Sequence, residues 1–194
     1  MGARILLIQG HPDCHRPHLC HALGQAYVEG ARAAGHEVEV VEPARMSFPL
    51  LTSPADWWHG SPPPQLVAVQ EAMQHADHIV FVYPLWMGDM PALLRGFLEQ
   101  VTRPGVVVDE PGRLFGNGRL SGRSARLIVS MSMPALVYRW GYGGSGLKTM
   151  RRMVLGRAGI RPVRTTLVGR THALSAEQIE AWGDHMRRLG GSAV

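Results

Sequence analysis

One segment constrains the fold of this 194-residue chain more than any other, the run Asp77-His-Ile-Val-Phe-Val-Tyr83. Its β-branched and aromatic residues favour a strand, and no polar residue interrupts it from Ile79 to Tyr83. A strand that is apolar on both sides is buried on both faces, which is typical of the centre of a parallel sheet. The run therefore predicts a central parallel strand.

Short apolar runs alternate with longer stretches of helical periodicity along the chain, a pattern typical of parallel βαβ units. The other predicted strands are Arg4–Gln9, Glu37–Val41, Ser124–Ser130 and Pro162–Val168. The predicted helices are Pro17–Ala34, Gln65–His75, Pro91–Val101, about Gly146–Arg157 and Ser175–Leu189. These elements predict a doubly wound, five-stranded parallel sheet of order 2-1-3-4-5 in a three-layer α/β/α arrangement.

One stretch, residues 43–64, does not fit this alternation. It holds Trp57, Trp58 and the run Pro62-Pro63-Pro64, which is incompatible with a regular helix or an interior strand. We interpret it as a long loop within a single domain, residues 1–194. The two tryptophans are candidates for closing over a ring ligand, for anchoring an interface between subunits, or for both.

The composition is that of an ordinary globular protein, with 45% hydrophobic and 18% charged residues. The net charge of +5 suits an anionic ligand, but the arginines are spread along the chain, so no nucleic-acid partner is expected. The apolar run Ala3–Ile8 is too short to cross a membrane, and Cys14 and Cys20 form no CxxC pair. These features predict a soluble, cytoplasmic protein without membrane insertion.

The topology fixes where a ligand would bind. In a doubly wound sheet the site lies beyond the carboxyl ends of the strands, where the strand order reverses, here between the first and third strands. The two loops at that point are Gly10-His-Pro-Asp-Cys-His-Arg-Pro-His18 and Pro84-Leu-Trp-Met-Gly-Asp-Met-Pro91.

The first loop leads directly into a helix, whose free amides and positive dipole end favour an anion, and His15, Arg16 and His18 add cationic donors. The second loop offers backbone groups beside Trp86 and Met87, which suit a flat heteroaromatic ring. Taken singly, the first is equally well a solvated polar loop and the second a cap on the core. Together they predict a site for a ligand with a charged tail and a planar head.

These loops resemble those of the flavodoxin-like NAD(P)H:quinone oxidoreductases. The similarity rests on His11-Pro12 after the first strand, on Tyr83-Pro-Leu-Trp-Met-Gly-Asp-Met-Pro-Ala-Leu-Leu-Arg-Gly-Phe97, and on Ser130-Met-Ser-Met-Pro-Ala-Leu-Val-Tyr-Arg-Trp140. It implies a flavodoxin-like fold, tightly bound FMN or FAD, NAD(P)H as co-substrate, a quinone or similar small-molecule electron acceptor, and a homodimer. Where relatives carry Ser, Thr or Asn in the first loop, this chain has Arg16, Pro17 and His18.

The resemblance also implies roles for particular residues. Tyr138 matches a tyrosine that lies over the flavin and assists hydride transfer, and Tyr142 is a second candidate for hydrogen bonding to the acceptor. The residues implied to surround the flavin phosphate are His11, His15, Arg16, Pro17 and His18. Those implied to line the ring are Pro84, Leu85, Trp86, Met87, Gly88, Ser130, Met131, Ser132 and Met133.

Other patterns leave alternatives open. Gly141-Tyr-Gly-Gly-Ser-Gly146 matches a dinucleotide fingerprint, but it does not directly follow a strand, and we interpret it as a flexible lid. The histidines and cysteines of the first loop lack the spacing of a metal site, so no metal is expected. A non-catalytic flavin- or nucleotide-binding, redox-sensing subunit remains the second functional hypothesis, and a metal-binding protein the third.

Overall fold

Five parallel strands organise the computed structural model of the chain, which describes residues 2–104 and 118–193. The strands are β1 (Arg4–Gln9), β2 (Glu37–Val41), β3 (His78–Pro84), β4 (Ser124–Ser130) and β5 (Val163–Val168). Their spatial order is β2-β1-β3-β4-β5, and every pairing is parallel. The predicted fold class and strand order are confirmed.

Helices cover both faces of this sheet. They are α1 (Leu19–Ala33), α2 (Pro54–His59), α3 (Pro64–His75), α4 (Ala92–Val101), α5 (Ser145–Thr149) and α6 (Ala176–Ser192). Alternate residues of β1 separate two cores: Ile5 and Leu7 pack with α1 and α6, whereas Leu6 and Ile8 pack with α3 and α4. All seven residues of β3 are buried, as the apolar run predicted.

The segment 43–64 differs from the predicted loop. It contains a single 3₁₀ turn at Pro43–Arg45 and the short helix α2. Helix α2 forms because Ser53 Oγ accepts a hydrogen bond from Asp56 N (3.0 Å) and Pro54 occupies the first turn, where a missing amide has no cost. The description of the whole stretch as irregular is therefore wrong for this helix.

A second difference lies after β4. The predicted helix from about Gly146 is α5, which continues as a π-helical segment over Met150–Leu155, and another π-helical turn covers Val137–Gly141. Helix boundaries shift only slightly elsewhere: His18 is the N-cap of α1 and Pro91 that of α4. Ser175 and Gln178 form the predicted capping box of α6. In the part of the chain that the structure describes, no helix is long and apolar enough to cross a membrane.

Candidate functional site

Three loops leave the carboxyl edge of the sheet side by side. Each begins with a hydrogen bond that extends the strand ladder: Gly10 N donates to Val82 O (2.7 Å), Leu85 N to Ser130 O (2.7 Å) and Met131 N to Val168 O (2.8 Å). The loops that follow β1, β3 and β4 therefore start at the same level. They are called here the first, second and third loops, residues 10–18, 85–91 and 131–136.

A cluster of three histidines stands at the junction of the first loop and α1. The rings of His11 and His18 are stacked with centroids 3.9 Å apart, and the His21 ring lies 5.2 Å from that of His11. Burial lowers the pKa of His11 and of His21, and the neighbouring His18 lowers both further. His11 and His21 are accordingly held in their neutral forms at neutral pH.

Asp13 organises this loop, although the sequence interpretation assigned it no role. One carboxylate oxygen accepts from His15 N (2.9 Å) and the other accepts from His18 Nε2 (2.9 Å). These hydrogen bonds, that of His18 first, lower the pKa of Asp13 to about 2. In the sequence, the only sign of this role was that Asp13 lies five residues before His18, the N-cap of α1.

Three other residues of the first loop face solvent. His15, Arg16 and Pro17 are exposed, and within the described residues the Arg16 guanidinium has no acidic partner. The first-turn amides of α1, those of Leu19 and Cys20, have no carbonyl available within the helix. These donors suit an anionic group such as a phosphate monoester.

The second loop is a two-residue hairpin turn. Trp86 N donates to Asp89 O (2.8 Å) and Asp89 N donates to Trp86 O (2.9 Å). Met87 (φ 51°) and Gly88 (φ 81°) between them are both left-handed, which defines a type I′ turn. The Met87 side chain is fully exposed and Trp86 is half-exposed, so the turn presents an apolar surface at the sheet edge.

Asp89 and Arg95, also absent from the predicted set, hold the end of this turn. Asp89 Oδ1 accepts from Met90 N (2.8 Å), and Asp89 Oδ2 accepts from the guanidinium of Arg95 in the first turns of α4. Pro84 is buried at the end of β3, and Leu85 is partly buried. Both residues therefore support the turn from below.

The third loop begins in the core and reaches the surface within two residues. Ser130 and Met131 are buried, and Ser130 Oγ lies 3.0 Å from Cys20 Sγ at the start of α1. Ser132 is exposed and Met133 is partly exposed. Of the four predicted ring-lining residues at the end of β4 and the start of this loop, Ser132 and Met133 are the accessible ones.

The two predicted catalytic tyrosines occupy opposite environments. Tyr138 is 1% exposed, and its hydroxyl donates to Gly88 O (3.2 Å) and accepts from Leu147 N (3.2 Å). Burial raises the pKa of Tyr138. Tyr142 is 68% exposed and is free to meet a ligand from solution.

One contact joins the first loop to the second. The rings of His11 and Trp86 meet edge to face with centroids 6.2 Å apart. The first and second loops thus meet at the sheet edge. Trp57 and Trp58 contact each other on α2, and no described ring contact joins them to either loop.

Comparison with known proteins agrees with this architecture. A family model described as flavodoxin-like fold matches residues 3–189. A ribosyldihydronicotinamide dehydrogenase-like protein of Penicillium crustosum is 29% identical over 154 residues, which cover 66% of this chain and 57% of that protein. The matched segments span 57% or less of the length of the curated relatives.

Solved structures are similar over nearly the whole chain. An NAD(P)H:quinone oxidoreductase from Methanothermobacter marburgensis superposes with a TM-score of 0.81 at 24% identity, covering 99% of this chain and 96% of that one. An FMN-dependent NADH-azoreductase from Bacillus anthracis, solved in complex with FMN, gives a TM-score of 0.74 at 16% identity and covers 97% and 98% of the two chains. At these identities the similarity concerns the fold.

Proposed function

The chain belongs to the family of flavodoxin-like fold proteins, and from that premise we propose that it is a flavin-dependent oxidoreductase, which transfers hydride from NAD(P)H through bound FMN or FAD to a quinone or similar small acceptor. Its relatives and structural neighbours include a dehydrogenase-like protein, a quinone oxidoreductase and an azoreductase, and their names support this reaction class. The observation that carries the proposal is the contact between His11 and Trp86, which unites an anion-binding loop with an apolar turn.

The donor set of the first loop fits a flavin phosphate. We assign the phosphate to the Arg16 guanidinium, His15 and the first-turn amides of α1, because the His18 ring is already hydrogen-bonded to the Asp13 carboxylate. The His11 and His18 rings form the wall behind this position. The hydroxyl groups that relatives place in the loop are replaced here by charge and backbone donors.

The second and third loops fit a planar ring. Trp86 and Met87 offer apolar surface, and the amides of Met87 and Gly88 have no partner among the described residues. Ser132 and Met133 face the same edge from the third loop. When bound, the flavin supplies the redox chemistry, whereas the chain's own residues bind and orient it.

Tyr142 is the hydroxyl that we assign to the acceptor, since it alone of the two tyrosines is accessible. It would donate a hydrogen bond to the acceptor oxygen where negative charge develops during reduction. The prediction that Tyr138 contacts the reactants directly stays a prediction; its hydroxyl already has two partners.

We further propose a cytoplasmic homodimer. Leu136, the last residue of the third loop, exposes an apolar surface together with Val137 and Trp140, which follow it in the chain. An exposed cluster of this kind is typical of an interface between subunits. A cytoplasmic location suits a reaction that consumes NAD(P)H.

The test begins with the purified protein. We expect a yellow preparation whose spectrum is that of a flavin, release of FMN or FAD on denaturation, and oxidation of NADPH with a generic quinone. A colourless protein that takes up neither FMN nor FAD contradicts the proposal. Flavin binding without turnover assigns the chain instead to the non-catalytic, redox-sensing class.

The phosphate assignment has its own test in the variant Arg16→Ala. Losing one charge-assisted hydrogen bond costs about 1.5–3 kcal/mol, so we expect the affinity for FMN to fall by about 10- to 150-fold. The affinity for riboflavin, which lacks the phosphate, should not change. The matched control is Arg188→Ala, which changes an exposed arginine on α6, away from the first loop. This variant should bind both ligands normally. Equal losses of both ligands in the Arg16 variant would contradict the assignment.

A further inference from the structure

We infer that Tyr138 is a positioning residue, which together with Gly146 locks the Met87–Gly88 turn against α5. The inference rests on the proposed function in one respect, the binding of a planar ring at this turn. The lock itself is a property of the chain and is testable without any ligand.

The first observation is that the Tyr138 hydroxyl bridges two backbone segments. It donates to Gly88 O in the turn and accepts from Leu147 N in α5, at 3.2 Å each, and the side chain is 1% exposed. A phenol with both functions occupied is a poor proton donor to a reactant. It is well suited to hold one peptide group of the turn in a single orientation.

The second observation is the close approach of the backbones. A Cβ atom added to Gly146 would lie 2.6 Å from Gly88 O and 2.8 Å from Asp89 Cα, distances that no side chain tolerates. Glycine at this position is therefore required for α5 to lie directly on the turn. This contact is independent of the tyrosine and brings together the same two segments.

The glycine-rich segment between Tyr138 and Leu147 explains how both contacts arise. Gly143 (φ 68°) and Gly144 (φ 57°) are left-handed, and Gly144 N donates to Tyr138 O (3.0 Å). The chain reverses there, so the amide of Leu147 returns to the hydroxyl of a tyrosine nine residues earlier. The segment that the sequence predicted to be a flexible lid approaches the second loop at its last residue, Gly146.

The consequence concerns ligand binding. The turn carries Met87 in a left-handed conformation that costs a non-glycine residue about 1 kcal/mol or more, so it needs support from its surroundings. Tyr138 and Gly146 supply that support at Gly88 O, the next peptide group of the turn. A ring that binds here meets a preformed surface, which lowers the entropic cost of binding.

The test compares Tyr138→Phe and Gly146→Ala with two matched controls. Tyr142→Phe removes an exposed hydroxyl, and Gly141→Ala introduces a Cβ that meets only Val137 Cγ1 at 3.7 Å. In flavin-free protein, we expect the amides of Asp89 and Leu147 to exchange hydrogen about 2- to 12-fold faster in Tyr138→Phe, the factor for one lost hydrogen bond. The controls should exchange at these amides like the unmodified chain.

Ligand affinity provides the second readout. Tyr138→Phe should weaken FMN and riboflavin by the same factor, because the ring and not the phosphate meets the turn, and the pH profile of turnover should keep its shape. Unchanged exchange at Asp89 and Leu147 would overturn the lock, even if Gly146→Ala failed to fold. Unchanged exchange with a shifted pH profile would return Tyr138 to a direct role in proton transfer. Failure to bind any flavin would remove the proposed function and leave the exchange result to decide the lock.

Discussion

At the scale of single residues, the second loop depends on two left-handed positions. Gly88 adopts φ 81° at no steric cost, and a Cβ there would meet no atom within 4 Å. Any effect of a side chain at Gly88 thus comes from backbone strain alone. Gly35, which follows α1 far from the candidate site, has the same φ of 81° and the same open surroundings.

Comparing Gly88 with Gly35 separates the effect of backbone strain on stability from an effect on flavin binding. We expect Gly88→Ala and Gly35→Ala each to lower the free energy of unfolding by about 1–2 kcal/mol, the cost of a left-handed alanine. Only Gly88→Ala should also weaken flavin binding, because the proposed function places the ring at that turn and not near Gly35. Urea titration and flavin titration of both variants measure the two effects. Equal flavin affinity in the two variants would argue against the ring at this turn.

At the scale of secondary-structure elements, α1 and α6 pack unusually closely. A Cβ on Gly30 would lie 2.0 Å from Arg187 O, and one on Gly190 would lie 2.1 Å from Tyr27 O. Both glycines therefore mark places where the two helix backbones touch. Helix α1 carries the histidine cluster at its N-terminus, so this packing also holds the first loop in place.

Alanine substitutions should separate the packed glycines from an unpacked one. Gly30→Ala should lower the free energy of unfolding by about 2 kcal/mol or more, because the helices must move apart. Gly183, within α6, meets only the flexible end of Arg187 at 3.4 Å, and Gly183→Ala should stabilise by up to about 1 kcal/mol through helix propensity. Thermal or urea unfolding measures both. A stabilised Gly30→Ala protein would show that the two helices are not held this close in solution.

At the scale of the whole molecule, the sheet buries an ionisable group. His78 in β3 is 1% exposed, and its Nδ1 lies 2.7 Å from Ser124 Oγ. Burial, and then the positive charges of Arg126 and Arg164, lower the pKa of His78 to about 4 from the usual 6.5. The unfolded chain therefore binds a proton at a pH where the folded protein does not.

This difference predicts a loss of stability in mild acid. The contribution of the neutral His78 to the free energy of unfolding is complete above pH 6.5 and is lost as the pH falls toward 4. Between pH 7.5 and pH 5 this loss amounts to about 2 kcal/mol. In His78→Gln the free energy of unfolding should fall by about 2 kcal/mol less between these two pH values. Any destabilisation that the substitution causes equally at both pH values does not affect this difference. Urea unfolding at both pH values gives the comparison. The same loss in the variant and the unmodified chain would place the proton uptake elsewhere, with His11 and His21 the next candidates.

Much of this architecture follows from local pattern. The apolar run of β3, the alternation of strands with helices and the rule for the switch point together predicted the strand order and the two loops that meet there. These properties depend on the periodicity of apolar residues and on chain connectivity, both of which are read directly from neighbouring residues. The capping box at Ser175 was predicted for the same reason, since its partners are three residues apart.

The contacts that shape the candidate site were decided only by the tertiary structure. Tyr138 meets Gly88, fifty residues earlier in the chain, and Gly146 approaches the same turn, and no local pattern predicted either contact. Asp13 occupies donors that looked available to a ligand. The sequence by itself determined the strand order and which two loops meet at the edge of the sheet. The hydrogen bonds between polar groups at this edge depend on distances between segments that are remote in the chain. Those distances are set only when the helices pack on the sheet.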